Sequence, residues 1–350
     1  MWSYILRRIM LMIPTLFGIM AVSFAIVQFV PGGPVERMMA QLRHSQTGMG
    51  EASAGSSASS YRGAQGLDEA QVELLRRMYG FDQPAWQRFI QMIGHYMRFD
   101  FGESYYHHRQ VTDLVLEKLP VSISIGLWTF VISYLVSIPL GIRKAVRHGS
   151  RFDAWTSTLI LVGYSIPGFM LGLLLIVLFG GGSFWNLFPM RGLVSDYWDT
   201  LSWWGRVGDY LWHITLPVTA SIVGAFAVTT MLTKNSFLEE IAKQYVVTAR
   251  ARGLSQSAVL YRHIFRNAMI PLVTGFPAAF IAAFFSGSLL LETIFSLDGL
   301  GLLGYESAIN RDYPVVLATL YCYTLLGLVT RLLTDITYIL VDPRITFEGY

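Results

Sequence analysis

Six long apolar runs leave this chain few folds to choose from: Ile9 to Val30, Val121 to Ile142, Ala154 to Gly180, Ile214 to Thr233, Ala268 to Phe295 and Val315 to Leu340. The first has 22 residues and as a helix reaches about 33 Å, enough to cross the hydrocarbon core of a bilayer. In that core the backbone finds no water, so each run must satisfy its own amides and carbonyls as a helix. Composition agrees, with 53% hydrophobic and only 14% charged residues, where soluble domains carry about 25% charged. The first run is longer than the apolar stretch of a secretion signal, and no small-x-small cleavage site follows it. It is therefore read as an uncleaved span, and the whole as an all-α integral membrane protein of six transmembrane helices.

Basic residues in the short connections orient the spans. With the N-terminus inside, the cytoplasmic segments hold Arg7, Arg8, Arg143, Lys144, Arg147, Arg151, Lys234, Lys243, Arg250, Arg252, Arg262, Arg266 and Arg344. The opposite short loops hold only Arg191, Arg206 and Arg311. Thirteen against three places both termini in the cytoplasm. Four parts follow: 1–30, the cytoplasmic N-terminus and first span; 31–119, an outer insertion; 120–340, a core with spans two to six; and 341–350, a cytoplasmic tail. Within the insertion, 48–60 has eleven Gly, Ala or Ser in thirteen positions and is expected to form a mobile loop. Leu67 to Met97 reads as an amphipathic helical segment, interrupted at Gly80–Pro84. The second outer loop, Gly181 to His213, carries Trp185, Trp198, Trp203, Trp204 and Trp212, as an interfacial belt would.

Between the fourth and fifth runs lies a strongly polar insert, Asn235 to Pro271, with 235–267 as the candidate coupling segment. Ser236 and Glu239 have the spacing of a capping box. Phe237, Ile241, Tyr245 and Ala249 recur every fourth residue and form one apolar stripe. Gly253 supplies a left-handed helix end, and Ser255 or Ser257 a cap for a second, shorter helix to about Phe265. The insert thus reads as helix, glycine turn, short helix: a hairpin built to touch something outside the membrane, or else a solvated connection.

Catalytic constellations are missing from the sequence. His107 and His108 are adjacent, not at metal-ligand spacing, and there is no His-Glu-x-x-His, no Gly-x-Ser-x-Gly and no phosphate loop. Cys322 is the one cysteine, which excludes a disulfide framework and a cysteine metal site. The small net charge of +3 sits near span ends and points to topology, not to nucleic acid. Charged residues inside the runs are expensive and therefore candidates for function: Glu292, Arg331 and Asp335. Arg331 and Asp335, four apart, are expected to pair with each other.

Thr248-Ala249-Arg250-Ala251-Arg252-Gly253-Leu254, continuing to Arg262-His263 and Arg266-Asn267-Ala268, resembles the EAA loop of ABC importer permeases in their dipeptide and oligopeptide branch. Val247-Thr248-Ala249 stands where the general pattern has Glu-Ala-Ala, and the Ile-x-Leu-Pro element is absent after Gly253. The resemblance covers nearly the whole chain. It includes Leu6-Arg7-Arg8, Val30-Pro31-Gly32-Gly33-Pro34-Val35-Glu36, Tyr79-Gly80-Phe81-Asp82-Gln83-Pro84 and Phe99-Asp100-Phe101-Gly102-Glu103-Ser104. Further on it includes Glu292-Thr293-Ile294-Phe295, Gly299-Leu300-Gly301, Arg311-Asp312-Tyr313-Pro314 and Asp342-Pro343-Arg344. The Gly-Gly-Pro-Val-Glu start, the Gly/Ser-rich insert and Ser296-Leu297-Asp298-Gly299 are similar to the Yej-type subfamily.

The resemblance implies a type I importer permease (MetI-like) of the bacterial inner membrane. In that scheme a second, homologous permease completes the pathway as a heterodimer. A cytoplasmic ABC ATPase carries ATP and Mg, leaving this chain without a cofactor, and a periplasmic binding protein delivers peptide. Thr248, Ala249, Arg250, Arg252, Gly253, Leu254, Ser257, Val259, Leu260 and Arg262 are then the ATPase-coupling candidates, with Leu254, Val259 and Leu260 entering a groove on the ATPase and the arginines meeting its acidic rim. Burying three aliphatic side chains would contribute roughly 5 to 8 kcal/mol before the costs of association. Glu292, Phe295 and Asp298 are the gating or pathway candidates. Related cargo, such as nickel chelates or glycosides, fits the same family pattern. An ion-coupled secondary transporter is the alternative class, though neither an internal repeat nor an ion relay is evident.

Overall fold

The computed structural model describes residues 2–29, 83–180, 184–285 and 289–341, and these are helical wherever they are long and apolar. In chain order the helices are α1 (Trp2–Phe29), α2 (Ala85–Tyr96), α3 (Val111–Val146), α4 (Arg151–Ser165) and α5 (Gly168–Leu175, continued as a π-helix over Ile176–Gly180). Then come α6 (Trp203–Ile241), α7 (Gln244–Ala251), α8 (Gln256–Ala268, its middle turn a π-helix over Val259–Ile264), α9 (Ile270–Phe285), α10 (Leu289–Ile294), α11 (Leu300–Asn310) and α12 (Tyr313–Val341). The expected 48–60 loop, residues 67–82 of the amphipathic segment, the Pro31–Glu36 and Asp342–Arg344 motifs and most of the Tyr79–Pro84 turn lie outside the described residues.

Four helices, α1, α3, α6 and α12, are long and apolar enough to cross a bilayer alone. Two bent pairs bring the number to as many as six. The third apolar run is not one rod: α4 and α5 meet at 90°. Pro167 explains the break, because a proline ring drives the preceding residue out of the helical region, and Ile166 has φ −87° and ψ 118°. A gentler 50° bend separates α8 from α9.

Two sequence expectations fail around α6. The Ser236–Glu239 capping box does not form, because α6 runs unbroken through both residues to Ile241. Nothing in Asn235-Ser236 breaks a helix, and a capping pattern acts only where the chain enters from an extended conformation. Such an entry occurs instead at Ser202, whose Oγ accepts a hydrogen bond from the Gly205 amide. Trp203, Trp204 and Trp212 are therefore in the first turns of α6 and not in a loop. At 39 residues, α6 is about 58 Å long and far exceeds the hydrocarbon core.

The chain divides into two compact units, Met1–Ile9 with Val115–Tyr305 and Leu325–Tyr350, and Met10–Leu114 with Glu306–Thr324. In the first, helices approach at glycines. A Cβ on Gly126 of α3 would lie 1.4 Å from the Ala283 carbonyl oxygen of α9, and one on Gly141 of α3 2.6 Å from Thr233 Cβ of α6. Small residues let the backbones meet, which is how helices associate where apolar burial supplies no drive. The second unit is built on aromatic rings. Phe89 of α2 meets Phe17 and Phe24 of α1, each at 5.3 Å, and Tyr96 meets Phe101 at 5.0 Å and Tyr321 at 5.3 Å.

Candidate functional site

The polar insert folds as a hairpin of α7 and α8 around Gly253. Gly253 has φ +79°, the left-handed residue the sequence called for, and its amide closes the last turn on the Arg250 carbonyl at 2.9 Å. Ser255 caps α8, its Oγ accepting from the Ala258 amide at 3.4 Å. The apolar stripe points inward as expected. Phe237, Val246 and Ala249 form a core with Ala145 of α3 and with Val259, Ile264 and Ala268 of α8, and Ile241 and Tyr245 pack against it.

This inward packing divides the coupling candidates. Thr248, Arg250, Arg252, Gly253, Leu254, Ser257 and Arg262 are exposed, Leu260 is half-buried, and Ala249 and Val259 are enclosed. Val259, only 1% exposed, holds the hairpin to its own protein and is not free to enter a partner's groove. Tyr261, 63% exposed, occupies the outer face that the sequence reading had assigned to Val259. Val259 and Ile264, five apart on the π-helical turn, both face the hairpin core, and Tyr261 between them is left outside. Below the hairpin, Glu240 accepts from Lys243 Nζ and, at 2.5 Å, from the Tyr245 hydroxyl. The hydrogen bond to Glu240 raises the Lys243 ammonium above its ordinary range, while burial raises the Tyr245 phenol, reinforced by Glu240. Asn267 Nδ2 donates to the same hydroxyl at 3.3 Å and ties α8 back to α7.

A cavity of about 710 Å³ opens among α3, α5, α6, α9 and α10, within the range of small-molecule sites. On α3 its wall includes Ser122, Gly126, Thr129 and Ser133, spaced four, three and four apart and so on one face, flanked by Ile125, Phe130 and Tyr134. Ser221 and Thr229 of α6 add hydroxyls opposite. Glu292 is the one charged residue among the lining side chains.

Glu292 organises the turn between α10 and α11. It is 1% exposed, and its Oε2 accepts from the Leu302 amide at 2.7 Å, so a carboxylate faces the positive end of α11. Ser122 Oγ accepts from the Leu300 amide at 2.9 Å. A Cβ on Gly299 would lie 2.6 Å from Glu292 Cδ, so glycine is needed there for space. The motifs Glu292-Thr293-Ile294-Phe295 and Gly299-Leu300-Gly301 thus meet in one structure. The other two pathway candidates lie off the cavity wall. Phe295, 1% exposed, packs with Leu291, Leu297, Ile125, Leu216 and Ala220, and exposed Asp298 pairs with Lys118.

Two further pairings differ from, or were hidden in, the sequence. Asp335 does not pair with Arg331; its Oδ2 accepts from Arg8 Nη2 at 2.9 Å and from the Tyr4 hydroxyl at 3.1 Å. Contacts between distant segments override an i,i+4 spacing of a few tenths of a kcal/mol. In the second unit, Asp312 accepts from Ser104 Oγ and, at 2.9 Å, from the Tyr105 amide, which joins the Phe99–Ser104 and Arg311–Pro314 motifs.

Sequence reasoning missed one cluster altogether. Asp153 of α4, 5% exposed, lies between two lysines that had been counted as loop charges, Lys144 of α3 (0%) and Lys234 of α6 (9%). Lys234 Nζ reaches both carboxylate oxygens, at 2.7 and 2.9 Å. Lys144 Nζ lies 3.2 Å from Oδ1 and bonds the Thr156 and Ser157 hydroxyls at 2.7 and 2.8 Å and the Asp153 carbonyl at 3.1 Å. A lone Asp two residues inside a helix gives no such signal; only the lysines' placement on other helices does.

Residues 137–347 match the family described as "Binding-protein-dependent transport system inner membrane component". Over 99% of this chain and 99% of the relative, the sequence is 56% identical to the peptidoglycan transport system permease protein YejB of Agrobacterium fabrum. It is 53% identical to the inner membrane ABC transporter permease protein YejB of Escherichia coli O157:H7, over the full length of both. Similarity extends to the dipeptide transport system permease protein DppB of Escherichia coli K12, at 33% identity over 99% of each chain.

Proposed function

Because this chain belongs to the binding-protein-dependent transport system inner membrane component family, as a multi-pass transport subunit and not an enzyme, we propose that it is the peptide-conducting permease of an ATP-driven importer, coupled to its motor through the α7–α8 hairpin. The observation that carries this reading is the hairpin itself. It keeps its apolar stripe for its own core and leaves Arg250, Arg252, Leu254, Tyr261 and Arg262 outward. The four arginines of the insert, Arg250, Arg252, Arg262 and Arg266, form no ion pair among the described residues. An acidic-rimmed partner surface with a shallow apolar groove complements such a face. A cytoplasmic ABC ATPase holding ATP and Mg fits that description; on this reading the hairpin and both termini are cytoplasmic, which the distribution of basic residues supports.

Peptide is the proposed cargo. The names of the relatives point to peptides and, for the Agrobacterium protein, to peptidoglycan, whose cross-links are peptide. The cavity suits such cargo: its single carboxylate is engaged by the Leu302 amide, and its wall is mostly apolar with a few hydroxyls set into it. Hydrogen bonds of this kind engage a peptide backbone without reading its side chains. Choice among peptides then belongs to a periplasmic binding protein. A second, homologous permease would complete the pathway as a heterodimer.

The test is purification from membranes under mild detergent, followed by reconstitution in vesicles with the co-purifying chains. An ATPase and a second permease should co-purify, and ATP should drive labelled peptide into the vesicles only when a binding protein is present. Uptake without any ATPase, driven by an ion gradient, would refute the reading. Uptake of nickel chelate or glycoside in preference to peptide would refute the cargo alone.

A further inference from the structure

The hairpin alone does not reach the cavity wall formed by α5 and α10, and the structure assigns the missing connection to the buried Asp153. We propose that Asp153 is a positioning residue: it fastens the α4–α5 arm to the docking hairpin, so that the arm and the hairpin move as one piece. This rests on the hairpin being the motor contact proposed above.

Three sets of contacts carry the argument. At the hairpin end, Ala145 of α3 and Phe237 of α6 belong to the hairpin core, and Gly141 and Thr233 hold α3 and α6 in backbone contact one turn away. These two helices are therefore already one body with the hairpin. Next to them, Lys144 and Lys234 leave α3 and α6 and converge on a single carboxylate of α4, and all three side chains are buried. The Lys144 ammonium uses its donors on Asp153, Thr156 and Ser157, all on α4, so α4 is gripped across its first two turns. At the far end, beyond the Pro167 elbow, Gly172 of α5 lies against the cavity turn: a Cβ there would be 2.9 Å from Leu291 and 3.2 Å from Phe295.

The chemistry makes the joint stiff. The Asp153 carboxylate also has the Gly149 amide and His148 Nδ1 each 3.3 Å from Oδ2, but its two lysines are buried, and releasing either would leave a buried charge without its counter-ion. Interfaces of this kind shift as units and do not deform gradually. The elbow at Pro167 then converts displacement of α4 into displacement of α5 against Leu291 and Phe295, beside Glu292.

The test uses the complete transporter reconstituted in vesicles. Asp153→Asn keeps the size of the side chain and removes the charge that both lysines share, and Asp153→Glu keeps the charge. Spin labels on the exposed Gln244 and Thr158, with Cys322→Ser, report the distance between hairpin and arm. In the parent protein this distance should be single and unchanged between nucleotide-free and ATP-bound states. In Asp153→Asn it should broaden, and peptide imported per ATP hydrolysed should fall about tenfold, while ATP hydrolysis per assembled complex stays within twofold. Asp153→Glu should recover most of the ratio. The proposal is overturned if the distance changes on ATP binding in the parent protein, or if Asp153→Asn leaves the ratio intact. It is equally overturned if import and hydrolysis fall together with the amount of assembled complex, which is what a purely structural role predicts. Failure of the parent protein to assemble with an ATPase would instead refute the coupling function on which the proposal rests.

Discussion

Replacing Gly299 by alanine should disrupt the turn beside the cavity, and the size of the effect follows from the geometry. The added methyl carbon would lie 2.6 Å from Glu292 Cδ and Oε1 and 2.8 Å from Oε2, whereas ordinary contact begins near 3.4 Å. Relief requires the carboxylate to withdraw by about 0.8 Å, which stretches the 2.7 Å bond from Leu302 to the limit of a hydrogen bond. Losing a bond to a charged acceptor costs about 1.5–3 kcal/mol, and forcing a methyl into packed surroundings about 1–3 kcal/mol. The expected destabilisation is about 2.5–6 kcal/mol. Gly304, one turn further into α11, has nothing within 4 Å of its Cβ position, so Gly304→Ala should be neutral or stabilise by up to about 1 kcal/mol. The assay is unfolding of the purified protein in mixed micelles, with Glu292→Ala closing a double-mutant cycle. Once the carboxylate is gone, Gly299→Ala should cost less than about 1 kcal/mol. A Gly299→Ala protein as stable as the parent would refute the reasoning, and so would an equal cost with and without Glu292.

Gly253→Val should leave the protein in the membrane at its usual amount yet reduce peptide import at least tenfold, because a β-branched residue resists φ > 0; Gly253→Asn should be milder, since asparagine tolerates that region. No atom lies within 4 Å of this Cβ position, so import at the normal rate by the valine variant would show that the turn is not needed. Val259→Ala should destabilise the hairpin by about 1–3 kcal/mol as a fully buried truncation, whereas Tyr261→Ala should leave stability unchanged and weaken ATPase co-purification. The reverse result would put Val259 on the outer face. Gly126→Ala should prevent α3 from meeting α9 at Ala283 and be recovered only as aggregated protein; a well-behaved variant would contradict that contact. Asp335→Asn should loosen the α1 end through Tyr4 and Arg8 and speed its amide exchange, while Arg331→Gln should not.

The membrane architecture was legible because its cause is local: an apolar run in lipid has to be a helix whatever surrounds it. The glycine turn of the hairpin was equally legible, since Gly253 answers a requirement of its own φ. The inward stripe was legible only in part: Phe237 and Ile241 lie on α6 and Tyr245 and Ala249 on α7, and the four reach one core across the break at Ala242 and Lys243. Patterns that presuppose a boundary were less dependable. The Ser236–Glu239 signature lies inside a continuous α6, and the break fell instead at Ala242, where no local residue demanded it.

Side-chain partnership belonged to the tertiary structure. Asp335 had an apt partner four residues away and took Arg8 instead, because a guanidinium and a hydroxyl from α1 together satisfy one carboxylate better than a single neighbour does. Lys144 and Lys234 are indistinguishable in sequence from the arginines around them, yet both are buried against Asp153. Glu292 was visible as an anomalous charge, but its task, accepting from the Leu302 amide in the space left by Gly299, needed the chain to fold back on itself. Helix formation and turn conformation are decided by each residue's own torsions and solvent. Ion pairs, close glycine contacts and cavity walls arise only when segments far apart in the chain arrive at the same place.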